Sequence, residues 1–271
     1  MSEPQTVLDC LRFGEGLLRP SPDAKTDARL LAEAFLGAAG VQNLRDEPPK
    51  DAKTRYFAAL ARRKAGEPAQ YILNKAWFMG LALYVDERVL IPRQDSETLC
   101  EAALRLAKER GYLAALDLCT GSGAIALALA AHSTLAVSAA DLSPGALEVA
   151  ARNAKELGLS IALFQGDLFQ AVKGRRFDLI ACNPPYLSQS DLAALQPELR
   201  WEPTLALDGG RDGLDFYRRL AAEAGGFVNE GGALLMEVGF TQAGSVKALF
   251  AQKTEVLLDL NGIRRVVCAY Y

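Results

Sequence analysis

The sequence predicts an α/β protein in which a seven-stranded, mostly parallel sheet follows a small all-helical domain and a β-hairpin linker. At 271 residues the chain exceeds the usual size of a single domain. From about residue 114 onward, apolar runs typical of strands alternate with helical patterns, which indicates a parallel sheet covered by helices on both faces. Before residue 70 the apolar residues follow only a helical period. We therefore expect a helical bundle (1–70), a hairpin linker (71–92) and an α/β domain (93–271).

The N-terminal part contains three predicted helices separated by prolines. Apolar residues recur at helical spacing in 6–18, 23–37 and 51–64. Between Tyr71 and Ile91 the apolar period changes to two, so we expect two short strands there, on either side of Asp86-Glu87.

Seven strands are expected in the α/β domain, at 113–118, 135–140, 161–164, 177–182, 233–238, 255–260 and 265–270. The first is followed by a helix at 124–131. Another helix should begin at Ser143-Pro144, because serine is a favourable N-cap and proline suits the first helical position. In sheets of this kind the ligand lies beyond the C-terminal ends of the strands, where the strand order reverses.

Composition excludes several classes of protein. Half of the residues are hydrophobic and 30 basic residues face 33 acidic ones, which disfavours both disorder and a generally basic nucleic-acid binder. Five cysteines without a C-x-x-C pair and a single histidine, His132, argue against a metal centre and a histidine-dependent triad. The N-terminus lacks the pattern of a signal peptide, and the apolar run 124–131 is too short to span a bilayer. We expect a cytoplasmic protein without metal or membrane contact.

A glycine-containing loop joins the first predicted strand to its helix. It reads Asp117-Leu-Cys-Thr-Gly-Ser-Gly123, and its glycines allow a ligand to approach the backbone closely. Because Gly121, Gly123 and Ala126 also satisfy G-x-G-x-x-A, a dinucleotide is an alternative at this point. Asp141 follows the second strand and can accept hydrogen bonds from ribose hydroxyls, in NAD or in S-adenosylmethionine.

Two further positions lie at the ends of later strands. Asp167 follows the third strand, where it could meet an adenine amino group, and Leu168 comes next to it. After the fourth strand stands Asn183-Pro-Pro-Tyr186. The prolines hold the backbone extended and contribute no N–H, so the Asn183 side-chain oxygen and the Pro184 carbonyl are left as two acceptors for one NH2 group. We call Asn183-Pro184-Pro185-Tyr186, with these two acceptors, the bracket. A hydride-transfer enzyme has no need of it, whereas a nitrogen methyltransferase does.

Several motifs in order resemble the PrmC/HemK family of glutamine N5-methyltransferases, which modify peptide chain release factors. The resemblance covers nearly all of the chain beyond residue 65, and the N-terminal residues match only in helical character. Its motifs are Glu67-Pro68, Tyr71 to Leu73, Leu90 to Glu97 (LIPRQDSE, against the family's L-I-P-R-x-[DE]-[ST]-E), Leu116 to Ala126, Asn183 to Tyr186, Glu202-Pro203, Ala206-Leu207, Gly209 to Asp215 with Tyr217, and Gly231-Gly232.

The resemblance implies a Rossmann-like class I S-adenosylmethionine-dependent methyltransferase that acts on the glutamine of the GGQ motif of release factors. It implies that S-adenosylmethionine is bound by Cys119, Thr120, Gly121, Ser122, Gly123, Asp141, Asp167, Leu168 and Asn183. Substrate glutamine would be bound by Asn183, Pro184, Pro185 and Tyr186, with Asn183, Pro184 and Tyr186 catalytic. Two positions depart from the family pattern: Cys119 replaces the usual glycine, and Leu168 replaces the tryptophan of some members.

Two alternatives stay open. An adenine N6-methyltransferase of nucleic acids uses the same kind of bracket on a flipped base. Residues 76–271, however, carry 18 basic and 23 acidic residues, a balance that disfavours long contacts with phosphates, so no direct nucleic-acid contact is expected. The other alternative is a non-catalytic S-adenosylmethionine-binding protein. The N-terminal 75 residues have the opposite balance, 12 basic against 10 acidic, and are expected to recognise the protein substrate.

Overall fold

The computed structural model describes residues 4–37 and 41–271. The chain forms two compact units. The first comprises Met1–Lys75 together with a distant segment, Pro197–Trp201, and the second comprises Ala76–Gln196 and Glu202–Tyr271.

The N-terminal unit is helical in its described part. Its helices are α1 (Val7–Leu18), α2 (Ala24–Phe35), α3 (Lys50–Lys64) and α4 (Ala69–Leu73), and Pro197–Trp201 adds a 3₁₀ turn. The three predicted helices are therefore confirmed to within two residues at each end. Thr6 caps α1, because its side chain accepts from the Asp9 N–H while the Asp9 carboxylate accepts from the Thr6 N–H.

The hairpin is real, but its predicted position is wrong. The strands are β1 (Ala76–Phe78) and β2 (Leu81–Leu83), and the turn is Met79-Gly80, both with positive φ. That backbone is typical of the tight turns that join antiparallel strands. Asp86 lies outside the hairpin and binds Arg88 at 2.6 Å. The apolar alternation misled the prediction because Val89 and Ile91 are buried without strand pairing, and because Tyr71 to Leu73 belong to α4.

The second unit is built on a seven-stranded sheet of order β5-β4-β3-β6-β7-β9-β8. Its strands are β3 (Ala114–Leu118), β4 (Ala136–Asp141), β5 (Ala162–Gln165), β6 (Phe177–Cys182), β7 (Val228–Glu237), β8 (Lys253–Leu258) and β9 (Arg264–Tyr270). The strands pair in parallel except at β9, which runs antiparallel to both neighbours. The predicted fold class is confirmed. β3 lies between β4 and β6, so the strand order reverses at β3.

Helices of this unit are α5 (Glu97–Arg110), α6 (Ala124–His132), α7 (Pro144–Leu157), α8 (Gln189–Ala193), α9 (Asp215–Glu223) and α10 (Ala243–Lys247). Short 3₁₀ turns occupy Gln94–Ser96, Leu168–Val172, Thr204–Ala206 and Ala224–Gly226. As predicted, Ser143 caps α7: its side chain accepts from the Ala146 N–H, and Pro144 follows at the first helical position.

Two strands differ from the prediction by two residues or more at an end. β7 begins at Val228, five residues before the expected start, because its pairing with β6 passes through an irregularity that accommodates Gly231, at φ +77°. β8 ends at Leu258, since Leu260 is fully exposed in the turn that leads to β9. The other five strands lie within one residue of their predicted bounds.

Candidate active site

The C-terminal ends of β3, β4, β5 and β6 surround a cavity of about 1000 Å³, including its open mouth. A smaller cavity of about 400 Å³ adjoins it, and Cys119, Gly121 and Asn183 line both. Of the other predicted site residues, Asp141, Asp167, Leu168 and Pro185 line the larger cavity, whereas Thr120 and Ser122 line the smaller. Gly123, Pro184 and Tyr186 line neither of these two cavities, as residues 4–37 and 41–271 define them.

The loop after β3 is held by hydrogen bonds within its own neighbourhood. Cys119, Gly121 and Gly123 all have φ between +55° and +82°, a left-handed backbone that glycine adopts freely and cysteine does not. Thr120 donates its hydroxyl to the Asp117 carboxylate at 2.6 Å, and the Gly123 N–H donates to the Thr120 carbonyl. The loop therefore turns sharply before α6 begins.

Asp141 closes this loop from the neighbouring strand. One carboxylate oxygen accepts from the Gly121 N–H and the other from the Ser143 N–H, both at 2.9 Å. Burial raises the pKa of Asp141, although these backbone hydrogen bonds oppose the rise. Because the N–H groups of Thr120, Gly121 and Gly123 already donate within the protein, they are not available to a dinucleotide pyrophosphate.

Apolar side chains and an ion pair also line the larger cavity. Leu168 is buried at φ +47°, and Leu142 and Phe216 line the same cavity. Asp167 forms an ion pair with Arg219 at 2.9 Å, and both residues line the cavity. This lining can accommodate a flat apolar ring.

Asn183 stands where the two cavities meet. Its Nδ2 donates to the Ser96 hydroxyl at 3.2 Å. Within residues 4–37 and 41–271 no group of the chain donates to Asn183 Oδ1. Pro184 and Pro185 are buried, so packing restricts the backbone of the bracket in addition to the proline rings. In the sequence, Ser96 is part of the Leu90 to Glu97 motif, but no pattern there indicates its contact with Asn183.

The backbone after the bracket is clamped by residues that sequence reasoning did not assign. The Gln242 side chain donates to the Tyr186 carbonyl at 2.9 Å. A Cβ on Gly209 would lie 2.7 Å from the Tyr186 Cα, so only glycine allows the chain to pass there. Gly209 and Gln242 thus fix the bracket from 23 and 56 positions further along the chain. Local sequence patterns do not indicate such contacts.

Two buried carboxyl groups lie behind the site. Asp117 is inaccessible, and burial raises its pKa to about 7; its Oδ1 has no hydrogen-bond partner in the described chain. Glu237, at the end of β7, is equally buried, and burial raises its pKa to about 7 although the Ser96 hydroxyl donates to it at 2.5 Å. Both groups would therefore be partly protonated near neutral pH.

His132, the last residue of α6, binds the Met79 carbonyl at 3.1 Å, away from both cavities. Among the described residues, no cluster of three or more His, Cys, Asp or Glu side chains is arranged to hold a metal ion. In the same part of the chain, no helix is both long enough and apolar enough to cross a bilayer.

Family profiles match both units. A profile described as methyltransferase small domain matches residues 100–198, and one described as PrmC N-terminal domain matches residues 9–73. A methyltransferase from Pyrococcus furiosus superposes with a TM-score of 0.54 at 18% identity, over 80% of this chain and 96% of that one. The hMettl16 catalytic domain, solved with an RNA hairpin, has a TM-score of 0.58 at 14% identity over 93% and 91%. These solved structures support the fold alone.

Curated relatives are closer. A release factor glutamine methyltransferase of Moorella thermoacetica is 42% identical over 95% of this chain and 96% of its own length. Its counterpart in Geobacter sulfurreducens is 47% identical over 77% and 75%. A ribosomal protein uL3 glutamine methyltransferase of Bordetella pertussis is 43% identical over 71% and 66%. This similarity disfavours the alternative of a non-catalytic S-adenosylmethionine-binding protein, and the chain belongs to the release factor glutamine methyltransferase family of S-adenosylmethionine-dependent enzymes.

Proposed function

We propose that this chain transfers a methyl group from S-adenosylmethionine to the side-chain nitrogen of the glutamine in the GGQ motif of peptide chain release factors. The observation that carries the proposal is the position of Asn183. No group of the described residues donates to its oxygen, and it lies at the junction of two cavities whose other walls suit a nucleoside and a short polar tail. Family membership supports the same chemistry.

The cavity residues fit S-adenosylmethionine. Asp141 presents a carboxylate that is oriented by two backbone N–H groups, and carboxylates accept well from a ribose diol. Leu142, Leu168 and Phe216 offer apolar surface to adenine, and Asp167, which lines the same cavity, would accept from its amino group. When bound, S-adenosylmethionine supplies an electrophilic methyl group on a positively charged sulfur. The carboxylates of Asp141 and Asp167, which line the larger cavity, suit that positive charge better than a phosphate.

Asn183 and Pro184 supply the positioning. The lone pair of an amide nitrogen is delocalised into its carbonyl, so the nitrogen is a weak nucleophile. In the proposed complex, the Asn183 side-chain oxygen and the Pro184 carbonyl each accept one N–H of the substrate amide. This holds the nitrogen with its lone-pair face toward the methyl donor and reduces the entropy cost of the attack. The same two oxygens stabilise the positive charge that develops on nitrogen. Tyr186 would pack its ring against the amide plane.

No strong base is needed for the last step. A methylated amide nitrogen that carries a positive charge is acidic and releases its proton to water once the C–N bond has formed. Burial raises the pKa of Tyr186 to about 12, so its hydroxyl keeps its proton and acts as a neutral donor or acceptor. The position of His132, at the end of α6 and bound to Met79, is consistent with a mechanism that does not use it.

Release factor is a better candidate substrate than ribosomal protein uL3. The release factor methyltransferase of Koribacter versatilis matches 98% of this chain, whereas the uL3 methyltransferase of Bradyrhizobium diazoefficiens matches 64%. The PrmC N-terminal profile, over residues 9–73, adds to that difference. We propose that the helical domain recognises the release factor, in the cytoplasm and without direct contact to nucleic acid.

Intact-mass analysis tests the function. The protein is incubated with S-adenosylmethionine and, separately, with the organism's release factors, with uL3 and with an adenine-containing oligonucleotide. We expect a gain of one methyl group on the release factor, located on the GGQ glutamine by fragmentation. Methylation of uL3 alone, of the oligonucleotide alone, or of none of the three would refute the proposal.

A charge-reversal variant tests the role of the helical domain. Lys50 and Lys64, at the two ends of α3, are exposed, whereas Arg63 of the same helix is buried against Asp27. We expect Lys50→Glu with Lys64→Glu to raise KM for intact release factor several-fold at low salt, because surface charge steers association. Activity on a short GGQ peptide should not change. Lys173→Glu, an exposed lysine of the methyltransferase unit, is the control, and equal effects of both changes on KM would contradict this role.

A further inference from the structure

The orientation of the Asn183 amide is set by Ser96 and Glu237. The Asn183 side chain hydrogen-bonds Glu237 directly, and a series of two further hydrogen bonds connects the same groups through Ser96. Ser96 Oγ donates to Glu237 Oε2 at 2.5 Å, and Asn183 Nδ2 donates to Ser96 Oγ at 3.2 Å. Ser96 precedes α5, Glu237 ends β7 and Asn183 follows β6, so the series links three separate elements. Both Ser96 and Glu237 are almost completely buried, at 4% and 1% exposure.

The chemistry of a hydroxyl decides which way the amide faces. Serine has one proton to donate, and here Glu237 receives it. Toward Asn183 the Ser96 oxygen can then act only as an acceptor, so it must face the NH2 end of the amide. The oxygen end is consequently turned to the other side, where no group of the described chain donates to it. A flipped amide would offer the substrate NH2 two N–H donors instead of an acceptor.

We infer that Ser96 and Glu237 are positioning residues for methyl transfer, which keep the Asn183 oxygen directed at the substrate nitrogen. The inference rests on the proposed function for its substrate. Neither residue needs to touch the substrate amide, since both act through Asn183.

The surroundings of Glu237 make this arrangement dependent on pH. Burial raises the pKa of Glu237 to about 7, against the lowering effects of the Ser96 hydrogen bond, of Arg265 and of the Asn183 hydrogen bond. Arg265 is itself shared with Asp95 at 2.9 Å. The titratable groups that act on Glu237 or respond to its charge are Arg265 on β9, Asp95 before α5, Cys100 on α5, Tyr186 after β6 and Tyr217 on α9.

Protonation of Glu237 reverses the direction of the series. A protonated carboxyl can donate to Ser96, and the Ser96 proton is then free to point at Asn183. That state favours the amide oxygen facing Ser96 and removes one acceptor from the bracket. Turnover should therefore rise with pH through about 7, as Glu237 becomes ionised.

Kinetics of Ser96 variants provide the first test. We expect Ser96→Ala to lower kcat on a GGQ peptide about tenfold to a hundredfold, because the reacting nitrogen is no longer held in register. The dissociation constant for S-adenosylmethionine, measured by calorimetry, should change less than about threefold, and Ser96→Thr, which keeps the hydroxyl, should restore most of kcat. Ser138→Ala removes another buried serine hydroxyl, from β4, and is the matched control. Equal kcat for Ser96→Ala and Ser138→Ala would overturn the inference.

The pH dependence provides the second test. In the wild type, kcat/KM should rise through a midpoint near pH 7, and in Glu237→Gln this limb should disappear while the melting temperature shows a folded protein. An identical limb in both would overturn the inference. Side-chain amide NMR of Asn183 gives a readout independent of activity: its NH2 signals should titrate with the same midpoint in the wild type and not in Glu237→Gln. If the wild type methylates no glutamine, the proposed function fails, and the NMR titration alone decides the orientation.

Discussion

The two walls of the cavity hold their polar groups in different ways. On the loop side, Thr120 and Ala126 bind a carboxylate three and nine residues away, and Gly121 binds Asp141, 20 residues away, mostly through backbone N–H groups. On the bracket side, all the contacts are between side chains. Asn183 binds Ser96, 87 residues away, and Ser96 binds Glu237, 141 residues away. The backbone N–H donors on the loop side are not lost when a side chain is replaced, whereas the bracket side depends on three distant side chains and fails when one of them is removed.

This difference separates binding from rate. The loop wall supplies acceptors that S-adenosylmethionine would meet both before and during the reaction, so its loss should appear mainly in affinity. The bracket wall would act on the nitrogen while charge develops, so its loss should appear mainly in turnover. Substitutions on each side of the cavity test this separation of affinity from turnover.

Asn183→Ala should have the largest effect. Loss of one positioned acceptor lowers turnover about 10²-fold or more, while the S-adenosylmethionine dissociation constant stays within a small factor. Single-turnover transfer of a labelled methyl group measures the rate, and calorimetry measures binding. Asn229→Ala, which removes an asparagine bound to Asp178, controls for loss of a hydrogen-bonded amide elsewhere. Turnover near the wild-type value would remove Asn183 from the mechanism.

Asp141→Ala should act on the other wall. A charged acceptor contributes about 1.5–3 kcal/mol to a hydrogen bond, so we expect the S-adenosylmethionine dissociation constant to rise by roughly one to two orders of magnitude. At saturating S-adenosylmethionine, kcat should be lowered much less. Asp178→Ala removes a carboxylate that likewise accepts from two backbone N–H groups, at the start of β3, and serves as control. An unchanged dissociation constant would assign the ribose contact to another residue.

Asp117 should couple the loop wall to pH. Its folded pKa, about 7, lies above its unfolded value of 3.8, so the folded state holds a proton that the unfolded state loses between these values. The stability from this group is therefore complete below about pH 4 and is lost as pH rises through 7. Asp117→Asn should flatten part of that fall, seen as a smaller difference in melting temperature between pH 5 and pH 8. Parallel curves for wild type and variant would contradict the assignment.

Cys119→Gly should have the smallest effect. Glycine relieves a left-handed backbone that costs about 1–2 kcal/mol for other residues. It also increases the freedom of the unfolded chain, which costs about 0.4–1 kcal/mol. We therefore expect the free energy of unfolding to rise by no more than about 1.6 kcal/mol, measured by urea denaturation, with little change in S-adenosylmethionine affinity. A loss of stability above about 2 kcal/mol would mean that the Cys119 side chain is part of the core.

The same division explains what the sequence could and could not predict. The four strand ends carry the predicted residues Cys119, Asp141, Asp167 and Asn183, because apolar runs mark strands well and parallel strands end at one edge. The predicted position of the hairpin turn is wrong, because apolar residues at every second position can mark burial without strand pairing, as at Val89 and Ile91. Ser96 and Glu237 could not be linked by pattern, because no periodicity reports which side chains meet across 141 residues.

The segment Pro197–Trp201, which belongs to the N-terminal unit, also sets an order of events during synthesis. Arg63 is buried, and one of its two carboxylate partners, Glu198, lies 135 residues further along the chain. At about 5–20 residues per second, ribosomes need roughly 7–27 s to make that stretch. Until then Asp27 is the one of these two carboxylate partners that has been synthesised. The first unit to be translated can therefore be completed only after β3 to β6 of the second have been synthesised.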